Sequence, residues 1–399
     1  MAAKLLSRLA MDRWPNRVRR AVQQVGTPCY ISAWSPVQAA LDGLDRLPTR
    51  VPVQSWLSFK THPLSILASQ WIETGRGVEV VSDRELTVLR TLECPVDQLL
   101  VNGVAKHEWL GRHEIRRLRV HFDSLREVDR LLPAALRYQW RTGVRVHAPD
   151  ERDAREPDFG GQFGMSPGEA VQALRRLRDA GAAVESVHFH LGQSHHDPEA
   201  YSRGVDRLAD VCAEAGVDPL FVDCGGGLPP AHDPAALPAL DGLAQAAARA
   251  ADRFPQLREI WVENGRYVTE AASALAVSVI DIKDRPECRY LICDGGRTNH
   301  ALAADSRPHP LLLLPQREGA GRLTTICGPT CMTDDRLGRW QLPESVAVGD
   351  VIVWLDAGAY HLPWETRFSH GLCPVVWFDR DEQLTVARSR ESVESWVAL

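Results

Sequence analysis

The sequence of 399 residues predicts an α/β fold, a (β/α)8 TIM-like barrel followed by a smaller C-terminal β-rich domain. Three observations carry this reading. Eight short apolar runs recur between Val53 and Glu263, separated by Leu/Ala/Arg-rich segments with helical spacing. Strands that alternate with amphipathic helices build βαβ units and parallel strands. Beyond Arg266 the helical periodicity fades, and short β-type runs between turn-forming residues replace it. Finally, the residues at the C-terminal ends of the eight runs are chemically distinctive, and catalytic groups of such barrels collect at that end.

Taken in order, residues 1–31 form an N-terminal segment expected to pack with the β-rich domain. Met1 to Gln24 is Arg-rich with Asp12 as its one acid, a composition shared with transit peptides. Leu5, Leu6, Leu9, Ala10 and Trp14 nevertheless fall at helical spacing, so we read an amphipathic helix. Cys29-Tyr30-Ile31 is a short strand. Residues 32–272 are assigned to the barrel. Its runs are Val53–Ser58, Val78–Val81, Gln98–Val101, Arg119–Phe122, Gly143–His147, Ser186–His190, Pro219–Asp223 and Glu259–Glu263. The charged, Gly/Pro-rich stretch Asp150–Gln162 reads as an inserted loop. Residues 273–399 form the β-rich domain, with runs at Ala276–Asp281, Arg289–Ile292, Leu311–Leu314, Leu323–Cys327, Asp350–Leu355, Pro374–Phe378 and Leu384–Val386.

Composition narrows the function classes. A hydrophobic content of 44% and a charged content of 25% suit a globular protein with a sizeable core. The net charge of −6 gives no basic footprint for nucleic acid or for an anionic membrane. No apolar run approaches the ~20 residues of a membrane helix. Nine scattered cysteines without a secretory signal suggest reduced thiols in a cytoplasm. Cys327 and Cys331 form a CxxxC pair, but no second pair or histidine at zinc spacing accompanies them, so no metal is expected there.

The run ends carry Lys60, Glu79, Asn102, Asp123, Arg145 with His147, His190, Gly225-Gly226-Gly227, and Glu263 with Arg266. Lys60 follows a buried strand, where a desolvated amine would become a usable nucleophile. A lysine near a strand end more often simply points to water, a triple glycine can be a plain turn, and Glu263 with Arg266 can be a surface ion pair. His188, His190, His195 and His196 invite a metal reading, yet no carboxylate or cysteine nearby completes a ligand set. Together, on one rim, the residues match what pyridoxal 5'-phosphate requires. Its aldehyde needs a lysine for a Schiff base, and its phosphate needs closely approaching amides, which a glycine turn before a helix supplies. Arg266 can add a charge-assisted bond, His190 a flat partner for the ring, and Glu263 a counter-charge at the ring nitrogen.

These residues resemble the fold-type III pyridoxal-phosphate decarboxylases, the group of ornithine, diaminopimelate and arginine decarboxylases, along nearly the whole chain from Tyr30 to Phe378. The matching elements are Phe59-Lys60, Gly77-Val78-Glu79-Val80-Val81-Ser82, Phe163-Gly164, His188-Phe189-His190-Leu191-Gly192, Asp223-Cys224-Gly225-Gly226-Gly227, Glu263-Asn264-Gly265-Arg266, Cys327-Gly328-Pro329-Thr330-Cys331 and Asp356-Ala357-Gly358-Ala359-Tyr360. The resemblance implies an alanine racemase-like barrel and a homodimer with the active site at the subunit interface. It implies that Lys60 holds the cofactor, His190 stacks on its ring and Glu263 binds its nitrogen. Gly225, Gly226, Gly227, Arg266 and Tyr360 would hold the phosphate, and Glu79 and Arg145 would line the site. Cys331, entering from the partner chain, would protonate the substrate carbon. Asp294 would face the substrate, and Phe368 would lie near the interface.

The departures bear on the substrate. Relatives that use free diamino acids carry an acid after the catalytic cysteine, where Met332 stands here, and a distal ammonium left without a partner costs several kcal/mol. Asp334 and Asp335 follow at a different offset. Gln193 replaces a usual serine, Asn264 a proline and His62 an asparagine. The expected activity is decarboxylation of an atypical, modified or carrier-linked amino acid rather than free ornithine, lysine or diaminopimelate. The alternatives are a racemase of the same fold and a non-catalytic regulatory binding protein. Glu263 and Cys331 oppose the first, since such racemases place an arginine and a tyrosine there. The retained Lys60, Cys331 and glycines oppose the second.

Overall fold

The computed structural model describes residues 2–148, 161–192, 197–300 and 309–397. Nearly all of Asp150–Gln162, together with Gln193, His195 and His196, lies outside the described residues. The chain divides into two compact units. One comprises 41–60 and 64–267, and the other comprises 1–40, 61–63 and 268–399.

The first unit is a closed barrel of eight parallel strands: β2 (Val53–Ser58), β3 (Gly77–Val80), β4 (Leu99–Val101), β5 (Arg119–Phe122), β6 (Arg141–Arg145), β7 (Ala183–His188), β8 (Phe221–Asp223) and β9 (Glu259–Asn264). β9 closes on β2 by pairing Trp56 with Glu263. The predicted runs find their strands, with ends shifted by up to three residues, so that His147 and His190 fall beyond β6 and β7. A cluster of Trp56, Leu100, Phe221 and Trp261 fills part of the interior, with Arg119 stacked on the Trp261 ring at 5.5 Å.

One local device recurs at three strand-to-helix junctions. Ser82-Asp83-Arg84-Glu85, Ser124-Leu125-Arg126-Glu127 and Ser166-Pro167-Gly168-Glu169 each place a serine before a helix and a glutamate three residues on. The serine oxygens accept the Glu85, Glu127 and Glu169 amides at 3.3, 3.2 and 3.4 Å, which satisfies N–H groups that the helix cannot. In the last case the glutamate reaches back to the Ser166 N–H at 3.0 Å and completes the box.

The second unit is a mixed sheet, ordered β14-β13-β11-β10-β1-β16-β17, with β15 pairing β10 and β12. Its strands are β1 (Cys29–Ala33), β10 (Ser273–Asp284), β11 (Arg289–Cys293), β12 (Leu311–Leu314), β13 (Gly321–Cys327), β14 (Arg336–Pro343), β15 (Val351–Trp354), β16 (Val375–Phe378) and β17 (Leu384–Arg388). β14 escaped the sequence reading. Its outward positions carry Arg336, Arg339 and Gln341 around a Gly and a Pro, so apolar alternation is weak. The helix α1 (Ala2–Val25) packs Trp14, Val18 and Ala21 against β1, β10 and β16. Buried Arg17 donates to Glu382 through Nε at 2.9 Å, which anchors this helix to the turn between β16 and β17.

Candidate active site

Parallel register assembles the barrel rim. Arg145 pairs with His188, and His188 with Asp223, so consecutive strands lift these side chains to one level. Ser58 pairs with Glu79, which sets Glu79 beside the Lys60 that follows Ser58 by two residues. The Lys60 ammonium stands 3.2 Å from Glu79 Oε1. The Lys60 side chain is 40% exposed and Glu79 only 1%, so the amine is accessible while its carboxyl partner is not. The desolvation argument from sequence therefore does not apply to Lys60.

It applies to Lys106, which the sequence reading passed over. Lys106 and Glu127 are both fully buried and meet at 2.6 Å. Glu127 also accepts the Lys106 and Asp123 amides at 3.0 and 2.8 Å, while Lys106 Nζ donates to Gly103 O at 2.6 Å. Burial lowers the Lys106 pKa against the pull of Glu127. Asp123 in turn accepts the Gly164 amide at 3.0 Å, and Arg145 lies 3.9 Å from Asp123 and 4.7 Å from the Phe163 ring.

Glu263 sits at the centre of a buried polar layer. Asn102 Nδ2 donates to its Oε1, His188 Nε2 lies 3.5 Å from Oε1, and His190 Nδ1 lies 3.8 Å from Oε2. Burial works against the Glu263 anion, but His188, His190 and Lys60 outweigh it and hold the carboxyl below its ordinary range. Burial keeps His188 well below the imidazole range, so this ring helps as an N–H dipole and not as a charge. Burial lifts Glu79 to about 7 against the pull of Lys60, and it raises Asp223 well above the carboxylate range. Three neighbouring carboxyls are thus pushed apart, and Glu263 is the one held as an anion. His121 stacks on His188 at 5.1 Å and bonds Ser186 Oγ at 2.8 Å, and burial lowers its pKa to about 3. His121 and Asn102 belong to this layer. Asn102 stood at a predicted run end, whereas His121 inside a strand carried no sequence signal.

His188, His190 and Glu263 have ligand atoms within 4.8 Å of one another. The carboxylate that the sequence did not supply for a metal set is therefore brought by β9. His190 Nδ1, however, already accepts the Gly226 amide at 3.0 Å, so that lone pair is committed.

The glycine turn differs from expectation. Gly225 has φ +67°, and a Cβ there would lie 2.5 Å from Phe189 O, so only glycine fits. Its amide donates to Asp223 at 2.8 Å, and that of Gly226 goes to His190. Among the described residues only the Gly227 amide of the three has no acceptor. The helix Ala236–Arg253 begins eight residues beyond Leu228, so the turn does not stand directly before a helix. Arg266, half-buried, opens the short helix Arg266–Thr269 directly after β9. An accessible lysine, a buried anion, the His190 ring and a turn closed to side chains fit pyridoxal phosphate.

In the β-rich unit, Tyr360 has φ +66° and its amide donates to Thr61 O at 2.8 Å. Gly358 in the same segment is closed to any side chain, since a Cβ would lie 1.6 Å from Thr269 O. Cys331, Met332 and Phe368 are exposed. The Asp294 oxygens accept the Thr27 hydroxyl at 2.6 Å and the Ser278 amide at 2.7 Å. Asp335 is buried and accepts three hydrogen bonds, while Asp334 is exposed.

Comparison with known proteins gives the family. Residues 45–270 match the family model for the pyridoxal-binding domain of pyridoxal-dependent decarboxylases. The chain is 26% identical to the diaminopimelate decarboxylase of Deinococcus radiodurans over 390 residues, covering 96% of this chain and 98% of that one. The crystal structure of the M. jannaschii diaminopimelate decarboxylase in complex with L-lysine shares the fold, with a TM-score of 0.84 at 20% identity over 95% of this chain and 93% of that one. The Paramecium bursaria Chlorella virus arginine decarboxylase with agmatine does so with a TM-score of 0.76 at 20% identity, over 91% and 99% of the two chains. No helix among the described residues is long and apolar enough to cross a membrane. The chain belongs to the pyridoxal-dependent decarboxylases and is a pyridoxal-phosphate-dependent carboxy-lyase of amino acids.

Proposed function

We propose that this enzyme removes the α-carboxylate of an atypical amino acid, modified or carrier-linked, whose side chain ends without a free ammonium. The observation that carries this reading is the identity and surroundings of the residues after Cys331. Met332 has no charge to offer, and both oxygens of Asp335 are occupied by backbone and hydroxyl donors. A distal ammonium set beside them would lose water without gaining a partner.

In this reading Lys60 binds the cofactor aldehyde, Glu263 faces the ring nitrogen as an anion, and His190 covers one ring face. Glu79 and Arg145 line the site, and Gly227, Arg266 and Tyr360 hold the phosphate. Bound pyridoxal phosphate supplies the electron sink that lets carbon dioxide leave. The Cys331 thiol then gives its proton to the α-carbon and is reprotonated from solvent. The expected assembly is a homodimer in which Cys331 comes from the second copy.

A second reading, free diaminopimelate, is supported by the names of the relatives, with exposed Asp334 as the counter-charge. Carbon dioxide release decides between them, measured with free diaminopimelate, ornithine, lysine and arginine and with acylated or carrier-linked amino acids. Release only from side chains without a free ammonium is expected. Fast release from diaminopimelate that is lost in Asp334→Ala would establish the second reading and overturn the first.

A further inference from the structure

The loop that carries Cys331 is folded around one carboxylate. Asp335 is 2% exposed, although Cys331 to Asp334 before it are all exposed. Its Oδ1 accepts the Arg297 amide at 2.7 Å. Its Oδ2 accepts the Thr330 amide at 3.0 Å and the Thr330 hydroxyl at 2.6 Å. The Asp335 backbone adds two more bonds, accepting the Gly328 amide at 3.0 Å and donating to Met332 O at 3.1 Å. The Met332 amide reaches Thr330 Oγ1 at 3.4 Å.

The space around this carboxylate is closed. A Cβ on Gly296 would lie 2.3 Å from Asp335 Oδ1, and one on Gly328 would lie 2.4 Å from both oxygens. Two glycines on two separate segments therefore make room for the same side chain. Three donors aimed at one buried carboxylate exceed what a turn on an exposed loop requires, since water would satisfy those groups.

We propose that Asp335 is a positioning residue for the reaction. Its carboxylate ties the turn Thr330-Cys331-Met332 to the backbone at Gly296-Arg297. It thereby fixes where the thiol stands when a proton is delivered. The inference rests on the reading of Cys331 as that proton's source. Without Asp335 the thiol occupies a range of positions, and the proton is delivered late or to the wrong carbon. With pyridoxal phosphate bound, a proton placed on the cofactor carbon instead of the α-carbon would leave a C=N bond to the substrate carbon, and one water would hydrolyse it to an aldehyde with the amino group retained on the cofactor.

The test compares Asp335→Asn, Thr330→Val and Cys331→Ala as holoenzymes, using whichever amino acid is turned over. Asn offers one acceptor where two are needed, and Val removes the Thr330 hydroxyl, which donates to Asp335 and accepts the Met332 amide, while keeping the shape of the side chain. Three quantities are read: the thermal unfolding midpoint, the rate of the fastest maleimide-reactive thiol, and the ratio of amine to aldehyde. Cys331 is the exposed thiol of the nine, so Cys331→Ala identifies its phase.

The expected result is a Cys331 labelling rate changed several-fold in both loop variants. A fall in kcat of roughly tenfold to a hundredfold should accompany it in Asp335→Asn. The aldehyde fraction should rise in the order Thr330→Val, Asp335→Asn, Cys331→Ala. An unchanged labelling rate in both loop variants overturns the proposal. So does a changed rate with clean amine product while Cys331→Ala yields aldehyde, because Asp335 is then structural only. If Cys331→Ala itself gives clean amine at the normal rate, the reading of Cys331 fails, and the positioning role falls with it even where the labelling rate has moved.

Discussion

Two lysine–glutamate pairs stand on the same barrel rim, and they differ in what their burial permits. In the pair Lys60–Glu79 the amine is 40% exposed and 3.2 Å from a buried carboxyl. In the pair Lys106–Glu127 both partners are fully buried at 2.6 Å, and three further hydrogen bonds satisfy them. The sealed pair cannot exchange partners without leaving a charge bare in the interior, so it holds the loop after β4 to the helix after β5. The open pair can release its amine to an incoming carbonyl at small cost. Deep burial of a lysine therefore marks the structural pair here, and accessibility beside a buried acid marks the chemical one.

Substitutions can break this contrast. Lys60→Ala should lower turnover by roughly a thousandfold or more, with a smaller loss of stability than Lys106→Met, because the Glu79 carboxyl, already raised to about 7 by burial, can take up a proton when the cation is removed. Loss of cofactor absorbance, with a smaller drop in the cofactor-free thermal midpoint than Lys106→Met gives, would be the signature. Lys106→Met should do the reverse, destabilising the protein by about 3–5 kcal/mol because Glu127 is left buried without its cation. Adding Glu127→Gln to Lys106→Met should recover part of that loss in urea unfolding. Strict additivity would mean that the two side chains do not act as a pair.

A smaller effect sharpens the same point with neutral groups. Burial lowers His62 to about 4 in the β-rich unit and His121 to about 3 in the barrel. Unfolded, each takes up a proton near pH 6.5, so below that pH the unfolded chain binds more protons. Stability then falls as pH drops, with His62 alone contributing about 3 kcal/mol of loss between pH 6.5 and 4. The His62→Asn variant should show a shallower fall in urea midpoint across this window. An unchanged slope would show that His62 is not the group that takes up the proton.

Much of the site was legible because strand periodicity fixes register. Once Val53–Ser58 and Glu259–Asn264 are strands, Lys60 and Glu263 must emerge at the same end of the barrel. The Gly225–Gly227 turn was legible for the same reason, since three successive glycines mark a place where side chains do not fit. Two features of the site were not legible because they concern neighbours remote in sequence. Glu263, the carboxylate beside His188 and His190, comes from β9 and not from their own segment. Asp294 faces Thr27 and Ser278, partners that a linear motif cannot reveal.

By itself, the sequence determined the two-part architecture, the cofactor and the cast of rim residues, because apolar periodicity and residue type are local properties. Tertiary structure decided which carboxyl is the anion, which lysine is sealed and which aspartate is spent on the Cys331 loop. Those outcomes depend on desolvation and on hydrogen-bond donors that arrive from distant strands, and neither is written in the spacing of a single segment.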